Sequence, residues 1–272
     1  MNEIRITAIT IYPIKSTAGI SVDQCGVEAQ GLRMDRRWLV VDEDGNFLTG
    51  REFPLLTQVR SRLDEGGLSI TAPGMDEMRV PFPAESATAR SVKIWNDECR
   101  ALSAGNTVDD WFATLLATRC HLVYMNDTSQ RPVDFAYGRP GDRVSFADGY
   151  PLLLISEASL ADLNSRTPEP ASMGRFRPNI VVGGCAAYDE DGWRRLRMGD
   201  VQFDGVKNCA RCVFTTVDPD NGIQHPQLEP LRTLGSYRRR SEGGVFFGQN
   251  LIPRTLGTVQ VGDVVDVNDE ET

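Results

Sequence analysis

Short runs with the alternating apolar and polar period of β-strands dominate this chain. Over the first 95 residues they predict strands at residues 4–12, 38–41, 46–49, 68–71 and 91–95. The polar residues 42–45 separate two of these runs and predict a hairpin turn. Later strands are predicted at residues 179–182, 201–203, 213–217 and 259–267. The pattern indicates a β-rich fold with barrel-like sheets.

Two segments have helical spacing instead. In the first, Asn106 and Thr107 precede acidic residues such as Asp109 in the first turn and apolar residues at helical intervals. The second runs over residues 157–165, with Ser156 as its N-cap. These helices make the expected fold class β-rich α+β. The least ordered segments are expected at residues 83–89, 126–140 and 269–272.

Composition narrows the class of protein. The 272 residues could form one large or two ordinary domains, and 40% hydrophobic with 25% charged residues is typical of a globular protein. The net charge of -9 argues against nucleic-acid binding, which needs a basic surface. No apolar run reaches the roughly 18 residues that cross a bilayer, and the N-terminus lacks a signal-peptide pattern. A cytoplasmic protein without membrane contact is expected.

Six cysteines are present, and in a reducing compartment they should be free thiols or ligands. Free cysteine behaves as a small hydrophobic residue. Four of the six are expected to be core residues: Cys25, Cys99, Cys120 and Cys185. The other two form the motif Cys209-Ala-Arg-Cys212, with Lys207 and Arg211 beside them. A thiolate is a soft metal ligand and a strong nucleophile, and these cations favour the thiolate form.

This cysteine pair has four interpretations. A zinc site needs two more ligands, and only His121 and His225 are present, with no second cysteine pair. A thioredoxin-like redox pair usually opens a helix, whereas Val-Phe-Thr-Thr-Val follows Cys212 and predicts a strand. Both thiols could simply be buried. In the fourth interpretation, one thiolate binds a soft transition metal while nearby cations hold an anionic cofactor.

The fourth interpretation requires anion-binding groups elsewhere in the chain. Lys15 and Ser16 stand at a predicted strand end, where an ammonium and a hydroxyl could contact a phosphate. Arg36 follows a turn, and Arg177 precedes a strand. Arginine suits bidentate contact with phosphate. An isolated arginine is more often a solvated surface cation. The combination of these residues along the chain is therefore what favours an anion-binding site.

Several sequence blocks resemble a known family when they are taken in order. They are Tyr-Pro-Ile-Lys-Ser (residues 12–16), Gly-Leu with Asp-Arg (31–36), Ser-Phe-Ala-Asp-Gly-Tyr (145–150), Ser-Glu-Ala-Ser-Leu (156–160), Phe-Arg-Pro-Asn (176–179), the cysteine block with Thr-Thr-Val-Asp-Pro (209–219), and Phe-Gly-Gln-Asn (247–250). With these blocks the chain resembles the MOSC domain family, which is named after the C-terminal domain of molybdenum cofactor sulfurase. It is similar in particular to bacterial YcbX-type proteins and to mitochondrial amidoxime-reducing components.

The resemblance implies a fold and a cofactor. The fold would be a MOSC N-terminal β-barrel-like domain over residues 1–125 and a MOSC β-barrel domain with a few helices over residues 126–267, with one shared site. The cofactor would be molybdenum–molybdopterin, with Cys212 as the metal ligand and Asp148 beside the metal. Matching pterin and phosphate contacts are Lys15, Ser16, Arg36, Arg177 and Asn179. Arg51 is a further candidate, although Gly50 stands where the family usually has alanine.

The implied activity is reduction of N-hydroxylated compounds, namely hydroxylamines, amidoximes and N-hydroxylated bases. Cys212 and Asp148 would be the catalytic residues, with Asp148 delivering a proton or serving only as a polar anchor. Bacterial relatives often carry a ferredoxin domain, but no cysteine follows Cys212, and an iron–sulfur cluster takes four ligands. Electrons would come from a separate flavin reductase or ferredoxin-type protein. The alternatives are a molybdenum cofactor-binding or sulfur-carrier protein without reductase activity, and a structural protein that has lost its cofactor.

Overall fold

The structure is a computed structural model and describes residues 3–241 and 243–268. The predicted poorly ordered segment at residues 269–272 lies outside the described residues. Within the described ranges the strands are β1 (Arg5–Ile11), β2 (Ile20–Val22), β3 (Gln24–Glu28), β4 (Gly31–Leu32), β5 (Trp38–Val41), β6 (Arg60–Asp64), β7 (Gly67–Thr71), β8 (Met78–Pro81), β9 (Ala89–Ile94), β10 (Asp97–Ser103), β11 (His121–Tyr124), β12 (Leu152–Ser156), β13 (Ile180–Gly183), β14 (Arg195–Met198), β15 (Val201–Arg211), β16 (Val245–Pro253), β17 (Gly257–Gln260) and β18 (Val265–Val267). The α-helices are α1 (Asn106–Leu116), α2 (Glu157–Arg166) and α3 (Leu231–Tyr237).

The largest sheet joins the two ends of the chain. Its order is β18-β14-β15-β16-β12-β13-β1-β2, and every pair is antiparallel except β12 with β13. Strand β1 pairs with β13, so that Arg5 lies opposite Gly183. A smaller sheet, β17-β3-β4, joins the ends in the same way. The N-terminal strands therefore complete a core that belongs mainly to the later half of the chain.

A second unit is built from residues between these strands. It contains the sheets β5-β11-β10-β9 and β6-β7-β8, with α1 packed beside them. Val108 and Phe112 of α1 lie in one apolar core with Trp38 and Leu122. The predicted division between residues 125 and 126 follows the last strand of this unit, although β1 to β4 form sheets with later strands.

The predicted helices and most strands are present, with local differences. Helix α1 lies where the first helix is predicted, and the Ser156 hydroxyl caps α2 by accepting from the Ser159 backbone N–H at 3.0 Å. The predicted strand at residues 213–217 is wrong, because Val213–Thr216 forms a 3₁₀ helix. The predicted strand at 259–267 divides into β17 and β18. Helix α3 was not predicted.

The core cysteines mostly follow expectation. Cys25, Cys99 and Cys120 are buried, whereas Cys185 is only partly buried against the main core. Desolvation raises the pKa of the Cys25 and Cys99 thiols to about 11 and that of Cys120 to about 12. These three thiols stay protonated and unreactive at neutral pH.

None of the helices within residues 3–241 and 243–268 combines the length and apolarity needed to cross a membrane.

Candidate active site

The candidate site is a cavity of about 280 Å³ to which both halves of the chain contribute. Its lining comes from the segment after β1, the loops before β5, β12 and β13, and the end of β15. Every site residue predicted from the sequence lines this cavity: Lys15, Ser16, Arg36, Arg51, Asp148, Arg177, Asn179 and Cys212. The fold thus brings together groups that are almost 200 positions apart in the sequence.

A stacked group of cations forms one wall. The Tyr12 ring lies 4.4 Å from the guanidinium carbon of Arg36 and 4.1 Å from that of Arg177. Arg36 Nη1 also donates to Asp35 Oδ2 at 2.6 Å and to Asn179 Oδ1 at 2.9 Å. The aromatic ring and the single carboxylate allow two guanidinium groups to lie close together with little access to water.

The backbone at this wall is strained. Ser16, Arg36 and Arg177 have φ values of 71°, 49° and 55°, in the left-handed region that side-chain-bearing residues seldom adopt. The Arg36 N–H donates to the Tyr12 carbonyl at 2.8 Å, and this bond helps to hold the conformation. Such strain costs about 1–3 kcal/mol per residue and concentrates at functional sites. All three of these strained residues are predicted cofactor contacts.

Arg177 has hydrogen-bonding capacity that the protein leaves unused. Its Nη1 donates to the Thr17 carbonyl at 2.6 Å, whereas its buried Nη2 has no partner. Burial lowers the pKa of the Arg177 guanidinium to about 10, and the Arg36 charge adds to the effect. The buried Nε of Arg211, which also lines the cavity, likewise lacks a partner. Unsatisfied buried donors on charged groups are costly, so the two guanidinium groups carry more hydrogen-bonding capacity than the protein's own acceptors satisfy.

Asn179 differs from the other predicted contacts because both its amide oxygen and its amide nitrogen bond within the protein. Its Oδ1 accepts from Arg36 and from the Leu153 N–H, and its Nδ2 donates to the Thr10 carbonyl at 3.2 Å. Only 1% of the residue is exposed. The geometry therefore makes Asn179 a brace for the Arg36 side chain.

Lys15 and Asp148 form an ion pair at the cavity. Lys15 Nζ donates to Asp148 Oδ1 at 2.5 Å and to the Phe146 carbonyl at 2.8 Å. Desolvation lowers the pKa of Lys15 to about 8, against the opposing effect of Asp148. Desolvation by the cavity wall acts to raise the pKa of Asp148, but the Lys15 ammonium and the Arg51 guanidinium outweigh it and hold that pKa below its usual range. The pair is thus an ionised carboxylate beside an ammonium whose pKa is lower than that of an ordinary lysine.

Cys212 directly follows β15 and precedes the 3₁₀ helix Val213–Thr216. Its thiol is exposed, and Arg51 Nη1 lies 3.7 Å from its Sγ. The neighbouring cations point elsewhere: Arg211 Nη1 lies 3.0 Å from Cys209 Sγ, and Lys207 Nζ lies 4.1 Å from the centre of the Tyr137 ring. The cation at Cys212 therefore comes from a distant loop and not from the cysteine motif itself.

Sequence patterns did not mark two residues that support the site. Arg131 is 2% exposed, and it donates to Asp97 and to the carbonyls of Ser145, Ala147 and Asp148. It fixes the segment that carries Asp148. Trp95 donates from Nε1 to Asp148 Oδ1 at 3.4 Å. Both residues act through contacts between remote segments, which no local spacing reveals.

The geometry also narrows the four interpretations of the cysteine pair. The simple burial of both thiols is wrong, because Cys212 is exposed and Cys209 only partly buried. Cys212 is extended and precedes a short 3₁₀ helix, whereas a thioredoxin-like pair opens an α-helix. Within the described ranges no three His, Cys, Asp or Glu side chains cluster as a metal site. One exposed thiol among cations fits a metal that receives its other ligands from an anionic cofactor.

Comparison with known proteins agrees with this geometry. Residues 3–119 match the MOSC N-terminal beta barrel domain, and residues 141–266 match the MOSC domain. Mitochondrial amidoxime reducing component 2 of Rattus norvegicus is 37% identical over 96% of this chain and 82% of its own length. The chain belongs to the MOSC domain family. The predicted family and β-rich fold class are confirmed, and the boundary at residue 125 falls between the two matched ranges, where it stays a prediction.

Other relatives have similar names. Mitochondrial amidoxime-reducing component 1 of Homo sapiens is 36% identical, and it is matched over 96% of this chain and 82% of its own length. Among solved structures, the YUAD protein from Bacillus subtilis covers 97% of both chains, with a TM-score of 0.45 and 10% identity. That structural similarity is too low to support an argument, so the family assignment of this MOSC protein rests on its sequence.

Proposed function

We propose that this MOSC protein is a molybdenum cofactor-dependent oxidoreductase that reduces N-hydroxylated compounds with electrons from a separate partner. The observation that carries the proposal is an exposed thiol, Cys212, in a cavity that Arg36 and Arg177 also line. This arrangement suits a cofactor that combines a soft metal with anionic groups. The names of the relatives support amidoximes as a substrate class.

Different residues of the cavity would hold different parts of such a cofactor. Cys212 would bind molybdenum, and Arg51 would offset negative charge beside the sulfur. Arg36 and Arg177 would contact the anionic groups, with Ser16 as a further hydroxyl donor at the same wall. The bound cofactor would supply the two-electron chemistry and accept the oxygen atom.

Proton supply is the main task left to the protein. Reduction of an amidoxime to an amidine consumes two electrons and two protons and releases water. Asp148 was the predicted proton donor, but its lowered pKa leaves it ionised at neutral pH. The neighbouring Lys15 ammonium carries a proton and has a pKa of about 8. We therefore assign proton donation to Lys15 and its positioning to Asp148.

The assignment predicts a pH profile. Because the protonated ammonium is the active form, turnover by the cofactor-loaded protein should fall as pH rises through about 8. Asp148→Asn removes a group that raises the Lys15 pKa, so the fall should move to lower pH. Lys15→Arg stays protonated and should lose the alkaline fall even if its rate is low. Initial rates between pH 5 and pH 10 test this, and an unchanged alkaline limb in Lys15→Arg would contradict it.

The electron donor is proposed to be a separate flavin reductase or ferredoxin-type protein. In residues 3–241 and 243–268 no side-chain cluster could hold a second redox metal, which supports a donor outside this part of the chain. A cytoplasmic location is also part of the proposal and rests on the sequence alone.

The proposal has a direct test in protein made by a host that synthesises the cofactor. We expect close to one molybdenum and one pterin per chain, and turnover of an amidoxime when a reduced viologen dye supplies electrons. Bound cofactor without turnover of any N-hydroxylated compound would favour a carrier. Absence of both molybdenum and pterin would favour a structural protein. Inductively coupled plasma mass spectrometry, pterin fluorescence and dye oxidation distinguish these outcomes.

A further inference from the structure

An exposed tryptophan stands beside the cavity and is not explained by packing. Trp95 is 51% exposed and belongs to the two-residue turn between β9 and β10, where Ile94 pairs with Asp97. Its φ of 55° is a conformation that such turns usually give to asparagine or glycine. Strain of this kind persists where a local function maintains it. A large, strained and exposed aromatic residue therefore invites a functional explanation.

The contacts of Trp95 connect it to the reacting end of the site. Its indole N–H donates to Asp148, and its ring lies 4.7 Å from the guanidinium carbon of Arg51. Arg51 in turn contacts the Cys212 thiol, and Asp148 is paired with Lys15. The indole thus lies one contact away from both the proposed metal ligand and the proposed proton donor.

Neighbouring groups fix the orientation of the indole. Phe47 packs against it with ring centroids 5.0 Å apart and an interplanar angle of 66°. Although Phe47 and Arg51 both contact the ring, Trp95 remains 51% exposed, so part of the indole surface is accessible to a ligand. The carboxylate of Asp148 lies at the N–H edge of the ring. An aromatic surface beside a carboxylate suits a planar group that carries N–H donors or positive charge.

We propose that Trp95 is a specificity-determining residue, whose exposed indole surface holds the planar conjugated part of an N-hydroxylated substrate while Asp148 accepts from its amino group. This inference rests on the proposed function for the choice of substrate. It further predicts that the protein prefers aromatic amidoximes and N-hydroxylated bases to small aliphatic N-hydroxylated compounds. Since an amidinium product is planar and cationic, the same surface also binds the product.

Equilibrium binding tests the role of Trp95 without turnover. Titration calorimetry would compare benzamidine with acetamidine on the cofactor-loaded protein. Trp95→Ala should weaken benzamidine binding about tenfold, the size expected for one aromatic and cation contact, and acetamidine binding less than about twofold. Trp95→Phe keeps a ring but loses the N–H, and it should stay within about threefold of the wild type. Phe135→Ala, which removes a 67% exposed aromatic side chain from the segment between β11 and β12, should change neither.

Three results would overturn the inference. One is a wild type that binds benzamidine no more tightly than acetamidine. Another is an equal loss for both ligands in Trp95→Ala, because Trp95 would then act only by placing Asp148 and Arg51. The third is unchanged binding in that variant. Dye-driven turnover of benzamidoxime and acetamidoxime tests the proposed function separately from the role of Trp95. If neither compound is reduced but benzamidine still binds more tightly than acetamidine, the reductase proposal is wrong and the proposed role of Trp95 in binding is retained.

Discussion

Cys212→Ser protein is expected to lose its molybdenum and at least about a thousandfold of its dye-driven turnover, as when an essential catalytic group is removed. Sulfur and oxygen are close in size, but a serine hydroxyl is a hard and weakly acidic ligand, whereas the proposed metal needs a soft thiolate. The residue is exposed, so the free energy of unfolding should change by less than about 0.5 kcal/mol. Metal analysis, turnover and urea denaturation on the same samples measure all three quantities.

Two matched variants give this experiment its controls. Cys209→Ser changes the other thiol of the motif, which lines the same cavity but contacts Arg211. Cys185→Ser changes a partly buried thiol outside the cavity lining. Both should retain molybdenum. If Cys212→Ser keeps as much metal as they do, Cys212 is not the ligand.

Arg131→Met is expected to lower the free energy of unfolding by about 3–5 kcal/mol, because three backbone carbonyls lose a charged donor at about 1–3 kcal/mol each. The guanidinium donates to the carbonyls of Ser145 and Asp148 at 2.9 and 2.8 Å. Methionine can fill much of the volume but satisfies none of these acceptors. Because those acceptors belong to the segment that carries Asp148, activity should also fall.

Arg139→Met is the matched control for this stability prediction. Arg139 lies in the neighbouring turn and is paired with Asp204, but 63% of its side chain is exposed. Exposed ion pairs contribute about 0–1 kcal/mol, so this variant should stay close to the wild type. Urea midpoints for the two variants make the comparison. A similar small effect for both would show that the Arg131 network contributes little to stability.

Local patterns were sufficient where local interactions decide the structure. The Ser156 cap is one such case, because the hydroxyl bonds a backbone N–H three residues away. The site residues could be named from ordered motifs, and the fold places all of them around one cavity. The motifs could not show that the Asn179 amide oxygen accepts two hydrogen bonds from within the protein. That property depends on partners near residues 10, 36 and 153.

The failed predictions have physical causes. The β-branched run after Cys212 predicts a strand, yet the Thr215 and Thr216 hydroxyls bond the carbonyls three residues earlier and stabilise a tight turn. The motifs predict Asp148 as the proton donor, whereas our proposal gives this role to Lys15, because a pKa depends on neighbours that the fold supplies. The ammonium beside Asp148 comes from Lys15, 133 positions away. Trp95 and Arg131 were missed for the same reason, since their roles exist only in three dimensions.

The pairing of β1 with β13 also constrains how the protein is made. Strand β1 leaves the ribosome well before its partner β13, which is complete only when residue 183 has been added. At about 5–20 residues per second, the nascent segment must wait roughly 10 to 35 seconds for that strand. Lys15 and Ser16 lie a few residues after β1, so their wall of the cavity is not assembled before then. Loading of the proposed cofactor would therefore follow synthesis of most of the chain, and a fragment that ends before β13 should not bind it.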